Sequence, residues 1–416
     1  MILLLIAIFS LGYLAIILEH IIKVNKSAVA MFMAIACWAV FFLLSPEVST
    51  VNLDALNHQV AAIAQIVFFL LGAMTIVELV DSHRGFKVIT DAIKTTSKRK
   101  MLWLIAVVAF FLSSILDNLT TTIVMVSLLR KIIPNTKDRF LFCCLVVVAA
   151  NAGGAWTPIG DVTTTMLWIG GQISSLAVMK SLFVPSVISL LIPLLYFTWQ
   201  SKGRLSAVEK KDKEQEEPGA RIVFCLGVGA LVFVPIFKAW TGLPPFMGIL
   251  IGLSLLWLVT DGLHTPYENR RHLRVPHTLT KIDISGVLFF LGILLAVGAL
   301  ESAHLLQALA NWLSAQVSSL PVIATLIGIF SAVIDNVPLV AATMGMYPLE
   351  QFATDHSLWM MIAYAAGTGG SILIIGSAAG VALMGMEKID FVTYMKKASI
   401  PVLIGYLAGM GAYLIL

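Results

Sequence analysis

The chain has 416 residues, of which 59% are hydrophobic and only 12% are charged. A soluble domain carries about 25% charged residues and about 45–50% apolar ones, so a soluble fold around an ordinary core is excluded. The net charge of +4 is small, and no basic patch suggests a nucleic-acid partner; the partners expected are a lipid bilayer and small ions. Cys37, Cys143, Cys144 and Cys225 lie in apolar runs without CxxC or metal-ligand spacing and read as small core residues. No cofactor is expected.

Apolar runs near the ~20 residues needed to cross a bilayer recur along the whole chain. Ten candidate spans follow in order, at 2–22, 27–45, 60–80, 140–170, 181–199, 222–238, 246–260, 283–300, 356–386 and 397–416. The first lacks a basic n-region and a small-residue cleavage site, and reads as a retained helix rather than a removed signal. Two further stretches, 101–133 and 319–349, are too long for one span and too short for two, and each holds an Asp-Asn pair near its middle. A hairpin that enters the membrane and turns back fits both. Segment 301–317 has helical apolar spacing and reads as an interfacial amphipathic helix, with 83–97 as its counterpart. Residues 200–220 form the one hydrophilic linker.

Counted on one side of this topology, the loops hold 25 of the 27 lysines and arginines; the other side keeps Lys180 and Lys238. Positive loops stay inside, so the basic loops are expected in the cytoplasm and both termini outside, in a multi-pass protein of the cell (inner) membrane.

The two halves resemble each other in order. FFLLGAMTIVELVDSH at 68–83 parallels FFLGILLAVGALESAH at 289–304, LSSILDN at 112–118 parallels FSAVIDN at 330–336, and NAGGAWTPIGD at 151–161 parallels GTGGSILIIGS at 367–377. The fold class expected is therefore an all-α polytopic membrane protein of about ten transmembrane helices in two inverted repeats. The first covers 1–199, with hairpin 101–133 and broken helix 140–170; the second covers 221–416, with hairpin 319–349 and broken helix 356–386. Such repeats place substrate at the bilayer midplane between broken helices.

Asp117-Asn118 and Asp335-Asn336 occupy equivalent positions in apolar surroundings. A membrane carboxylate costs at least ~2.5 kcal/mol on insertion scales, which marks ion binding, proton carriage or pairing; the plain alternative is a hydrogen bond that staples a hairpin. In 151–165, glycines and Pro158 interrupt a helix and free its backbone. Asn151, Thr157, Asp161, Thr163 and Thr164 add hard oxygen ligands suited to a hard cation such as sodium or lithium. The second copy offers Ser371 and Ser377 without a carboxylate. Glu78, deep in the third span, reads equally as a proton relay or as an interfacial acid near Asp81; His83 and His304 read as interfacial.

LDNLTTT, NAGGAWTPIGD and IDNVP together resemble the NhaD-type sodium/proton antiporters of the ion transporter superfamily, over about residue 60 to the C-terminus. The resemblance implies re-entrant hairpins, a homodimer whose transport domain moves against a scaffold, and ion binding at Asp117, Asn118, Asn151, Asp161, Thr163, Thr164, Asp335 and Asn336, with Ser113 and Ser331 close by. Glu78 carries over less directly. The function expected is secondary exchange of cytoplasmic sodium (or lithium) for external protons, with Asp117, Asp161 and Asp335 holding either ion; the chain is not expected to be an enzyme. Anion carriers of the same superfamily are the alternative, but carboxylates at both hairpin tips repel an organic anion and attract a cation. An aspartic-protease-like membrane enzyme leaves the repeat and the broken helices unexplained, and a passive channel couples no gradients.

Overall fold

In hydrocarbon every backbone polar group must find a partner within the protein, which leaves helices as the economical solution for these apolar runs. The computed structural model describes residues 1–46, 49–87, 95–133, 135–201, 203–205, 217–317, 319–389 and 391–416. Among them the regular elements are helical, apart from one isolated bridge between Ser97 and Arg204. In chain order they are α1 (Ile2–Ile17), α2 (Lys26–Leu44), α3 (Ser49–Ser82), α4 (Lys98–Ser113), α5 (Asn118–Ile132), α6 (Thr136–Gly154), α7 (Val162–Ile169), α8 (Ser175–Gln200) and α9 (Ala220–Thr241). There follow α10 (Pro245–His264), α11 (Ile284–Ser302), α12 (Leu305–Gln316), α13 (Leu320–Phe330), α14 (Asn336–Met346), α15 (Ser357–Gly369), α16 (Ala378–Glu387) and α17 (Ile400–Ile415).

Seven of the described helical stretches are long and apolar enough to cross a bilayer: α2, α3, α8, α9, α10, α11 and the run Phe391–Ile415 that ends in α17. The other three expected spans are the 16-residue α1 and two interrupted helices, α6–α7 and α15–α16. Helix α3 starts at Ser49, well before the expected 60, because the polar stretch that precedes its apolar run continues the helix. Helix α12 fills the expected amphipathic segment: Leu306 and Ala310 are buried while Leu309 and Trp312 are exposed. Residues 88–94 of the counterpart expected at 83–97, and 206–216 of the linker, lie outside the described residues.

Two groups of helices pack together. Helices α2, α3 and α11 form one contact set, joined through α3 by α9 and α10; α6 packs against α4, α5 and α8, and α15 against α13, α8 and α17. At its start α4 is tied beyond the far end of α5, where Lys98 Nζ lies 2.6 Å from Asp138 Oδ1 of α6. Helices of 16 and 15 residues are about 24 and 22 Å long, so α4 and α5 leave one end of the bundle and come back to it.

The crossings are set by glycine. A Cβ on Gly153 of α6 would strike the Phe110 carbonyl of α4, and one on Gly369 of α15 would strike the Gly328 carbonyl of α13. Backbones can meet so closely only where no side chain intervenes. The same two crossings are latched by serines: Ser113 Oγ donates to Ala150 O at 2.6 Å and Ser331 Oγ to Ala366 O at 3.2 Å. Equivalent residues thus make equivalent contacts in both halves.

The six basic segments also meet. Ser27 Oγ donates to Ser285 O (2.7 Å), Lys281 reaches Glu78 (3.8 Å), Leu205 N donates to Thr96 O (2.8 Å), Arg99 Nε donates to Ser201 O (3.1 Å), and Arg130 and Arg139 both grip Glu387. With Lys98–Asp138, these contacts join the basic loops into one face of the molecule.

Candidate ion-binding site

Four breaks meet in the interior, and each is followed by a helix whose first backbone amides need acceptors. A side chain supplies one in every case. Asp117 accepts from Thr120 N and Thr120 Oγ1, both at 2.7 Å, at the start of α5. Asp161 accepts from Thr163 N and Thr163 Oγ1, both at 2.9 Å, at the start of α7. Asp335 accepts from Val337 N at 3.3 Å before α14, and Ser377 from Gly380 N at 3.2 Å before α16. A helix N-terminus carries about half a positive charge, so three carboxylates stand where burial is least costly for them.

The side chains then converge on Asp161, which is 1% exposed. Asn118 Nδ2 donates to its Oδ2 at 2.7 Å, and Asn336 Nδ2, from the other half of the chain, does so at 3.5 Å. Asn118 Nδ2 also donates to Asn151 Oδ1 at 3.0 Å. Asn151 Nδ2 in turn donates to Ser371 Oγ at 2.8 Å and Ser377 Oγ at 2.9 Å. Thr164 Oγ1 donates to the Asp161 carbonyl at 2.9 Å. All of these residues are buried. One network therefore joins four breaks and both halves of the chain, and every donor it points at the Asp161 carboxylate is neutral. Amide oxygens, hydroxyls and a carboxylate are ligands for a hard monovalent cation.

The chain matches the citrate transporter family over residues 13–361. It is 55% identical to sodium/proton antiporter 1 of Arabidopsis thaliana, over 98% of this chain and 71% of that protein. It is 50% identical to sodium/proton antiporter 2 of the same plant, over 98% of each. To the Na(+)/H(+) antiporter NhaD of Alkalimonas amylolytica it is 30% identical, over 98% of this chain and 89% of that protein. The chain belongs to this family, as a relative of the NhaD-type sodium/proton antiporters.

In this member of the family the structure sorts the sequence-predicted residues into three groups. Asn118, Asn151, Asp161, Thr163, Thr164, Asn336, Ser371 and Ser377 form the network. Ser113, Ser331 and Thr157 brace it from behind, each spending its hydroxyl proton on a carbonyl, with Thr157 Oγ1 donating to Ser114 O at 2.7 Å. Asp117 and Asp335 lie at the rim, partly buried, each one residue before an asparagine of the network. Glu78 is not brought to the cluster. It sits one turn from the basic end of α3, 3.8 Å from Lys281, and accepts from Ser82 Oγ at 3.3 Å.

Two partners were missed by sequence reasoning. Thr120 is the residue that Asp117 caps, donating both its N–H and its hydroxyl to that carboxylate; the Asp-x-x-Thr spacing of a helix start was the signal for it. Lys26 stands 3.9 Å from Asp335, and nothing local in the sequence joins a loop lysine to a distant hairpin tip. His83, expected at the membrane interface, is buried within the protein, with its Nε2 2.9 Å from Nε2 of His264 where α3 packs on α10.

Proposed function

We propose that the chain is a secondary active transporter that exchanges sodium for protons across a membrane, by alternating access at the cluster around Asp161. The observation that carries this reading is the Asp161 carboxylate itself, buried and held by Asn118, Asn336 and Thr163, with no cationic side chain bonded to it among the described residues. A bare charge away from water is costly, and one monovalent cation removes that cost. A proton does so by binding an oxygen of the carboxylate. Sodium does so by drawing in oxygens, which Asn118, Asn151 and Asn336 can present by turning their amides and the hydroxyls by rotating. One carboxylate cannot be neutralised by both at full occupancy, so each ion displaces the other, and that displacement is the coupling.

Asp117 and Asp335 add negative charge at the rim and favour a cation approaching the cluster. The same hard-oxygen set suits lithium. In a bilayer, the return of α4 and α5 to one face supports a re-entrant hairpin, and the joined basic segments support placing that face in the cytoplasm, with the termini outside. Asp335, whose side chain is 22% exposed beside Lys26 at the start of α2 on the basic face, supports a cluster open toward that face here. Sodium export against proton uptake is the direction proposed.

The name of the family that matches raises an organic anion as a second substrate class. Among the described residues the cluster and its rim hold three carboxylates, Asp161, Asp117 and Asp335, against one lysine, Lys26 beside Asp335, and their net sign opposes a citrate-like anion. The test is sodium-driven proton movement in everted membrane vesicles. Wild type should dissipate a pre-formed pH gradient on addition of sodium, and Asp161→Asn should not. If sodium has no effect and a di- or tricarboxylate drives transport instead, the cation reading is wrong.

A further inference from the structure

Among the described residues, Lys26 is a basic residue of the joined loops that stands against a carboxylate of the candidate site. Its Nζ lies 3.9 Å from Asp335 Oδ2 and 4.4 Å from the centroid of the Phe289 ring. We propose that Lys26 is a tethered counter-cation of the transport site: it holds Asp335 while the site lacks sodium, and sodium displaces it on binding. The proposal rests on the cation-exchange reading above and names a competitor that the reading does not contain.

The lysine is anchored on the α2–α11 side. Asn25 caps α2 by accepting from Ser27 N at 2.8 Å, Ser27 Oγ donates to Ser285 O just inside α11, and Lys26 N donates to Glu19 Oε1 at 3.1 Å. The backbone is thus fixed while the ammonium stays on a flexible four-carbon stem. Asp335 stands at the start of α14, and the next residue, Asn336, donates to Asp161. The pair therefore joins the anchored side of the molecule to the cluster through two consecutive residues. Its side chains are 30% and 22% exposed, which places it among weak, exchangeable ion pairs. Among the described residues the ionisable groups that face Asp335 are Lys26 from the start of α2, Tyr13 from α1 and Asp161 across the break. Of these Lys26 is the cation. A sodium ion on the Asp335 carboxylate would stand next to the ammonium and repel it, so the two share one position.

Two consequences separate this role from a structural one. Lys26 keeps the unloaded site neutral at Asp335 without a proton, so removing its charge hands that task to protons. It also weakens sodium binding, so removing it tightens binding without raising the maximal rate. The variants are Lys26→Met, which keeps the stem, and Lys26→Arg, which keeps the charge, assayed for sodium-driven proton movement at several pH values. In Lys26→Met the half-saturating sodium concentration should fall about two- to fivefold, the span of a partly exposed pair, with a steeper dependence on pH; Lys26→Arg should stay near wild type. Wild-type half-saturation and pH dependence in an inserted Lys26→Met protein would overturn the proposal while leaving exchange intact. Absence of sodium-driven proton movement in wild type would overturn both. If Lys26→Met fails to insert, wild-type protein is acylated with an amine-reactive reagent and Lys26 followed by mass spectrometry. Faster labelling in sodium than in choline supports displacement, and equal rates refute it.

Discussion

Replacing Asp161 by asparagine tests the candidate site with little change of shape, and the structure sets the expected cost. The carboxylate accepts four hydrogen bonds, from Thr163 N and Oγ1 on one oxygen and from Asn118 and Asn336 on the other. If the amide keeps its oxygen on Thr163, its nitrogen faces two donors, and a mispaired buried group costs about 1–3 kcal/mol. The network can relax. Asn118 can turn its amide, Asn151 can follow, and the turn ends on Ser371 and Ser377, whose hydroxyls donate or accept by rotation. Relaxation leaves a cost of about 1 kcal/mol, roughly one net hydrogen bond, so Asp161→Asn should fold and insert. Its ion chemistry should not survive. Bonds to a charged partner are worth about 1.5–3 kcal/mol, which raises half-saturating sodium at least about tenfold. Thermal unfolding of purified protein gives an independent reading: wild type in sodium at a hundred times its dissociation constant should gain about 2.7 kcal/mol, visible as a raised Tm, and Asp161→Asn should gain none. A variant that keeps both the sodium-dependent shift and the proton exchange would refute the assignment of Asp161 as the exchanging carboxylate.

Asp117→Asn retains the N-cap acceptor for Thr120 and should fold with a loss of at most about 1 kcal/mol, while its sodium-driven proton movement falls with the lost charge. For competition of one proton with one sodium, half-saturating sodium should rise about tenfold per unit as pH falls through the range in which the site is protonated; a flat profile would argue against a shared carboxylate. Glu387 is 5% exposed between Arg130 and Arg139, so Glu387→Ala breaks a buried ion pair and should cost up to about 3–5 kcal/mol of stability. The sodium affinity of whatever protein remains folded should be unchanged, because the triad lies at the basic face. Gly153→Ala drives a methyl into the Phe110 carbonyl and should cost about 1–3 kcal/mol, seen as a lower Tm and reduced inserted protein.

What could be read from the sequence was what the membrane forces into local pattern. Helices had to follow from apolar runs, and breaks had to follow from glycine and Pro158 inside them, so the positions of α6–α7 and α15–α16 and the residues of the cluster were all foreseeable. The internal match also located Ser113 with Ser331, because a crossing that close needs the same small residues each time it is built. What stayed hidden was pairing across the chain. Glu78 sits in a hydrophobic context in the sequence, yet the end of α3 carries it to Lys281. His83 reads as a helix-end histidine until α10 brings His264 against it. Asp117, Asp161 and Asp335 look alike in sequence, and only the packing separates the buried centre from the two carboxylates at the rim.

That separation is itself an argument about mechanism, because the acids of this chain differ in what neutralises them. Glu387 is clamped by two guanidinium groups at 2.7 and 2.8 Å; charge-assisted pairs of that kind are strong and directional, suited to holding α5, α6 and α16 together and unsuited to turnover. Asp335 faces one lysine at 3.9 Å on a flexible stem, a counter-ion close enough to matter and loose enough to leave. Asp161 has amides, a hydroxyl and a backbone N–H, which lower the cost of its burial without cancelling its charge. An acid that must pass a monovalent ion from one side to the other needs this last environment: a permanent cation beside it would leave nothing for sodium or a proton to neutralise, and bare hydrocarbon would make the empty site too costly to form. The series from Glu387 through Asp335 to Asp161, from two close guanidinium groups to one loosely held lysine to neutral donors, therefore favours the proposed cation exchange over an anion carrier.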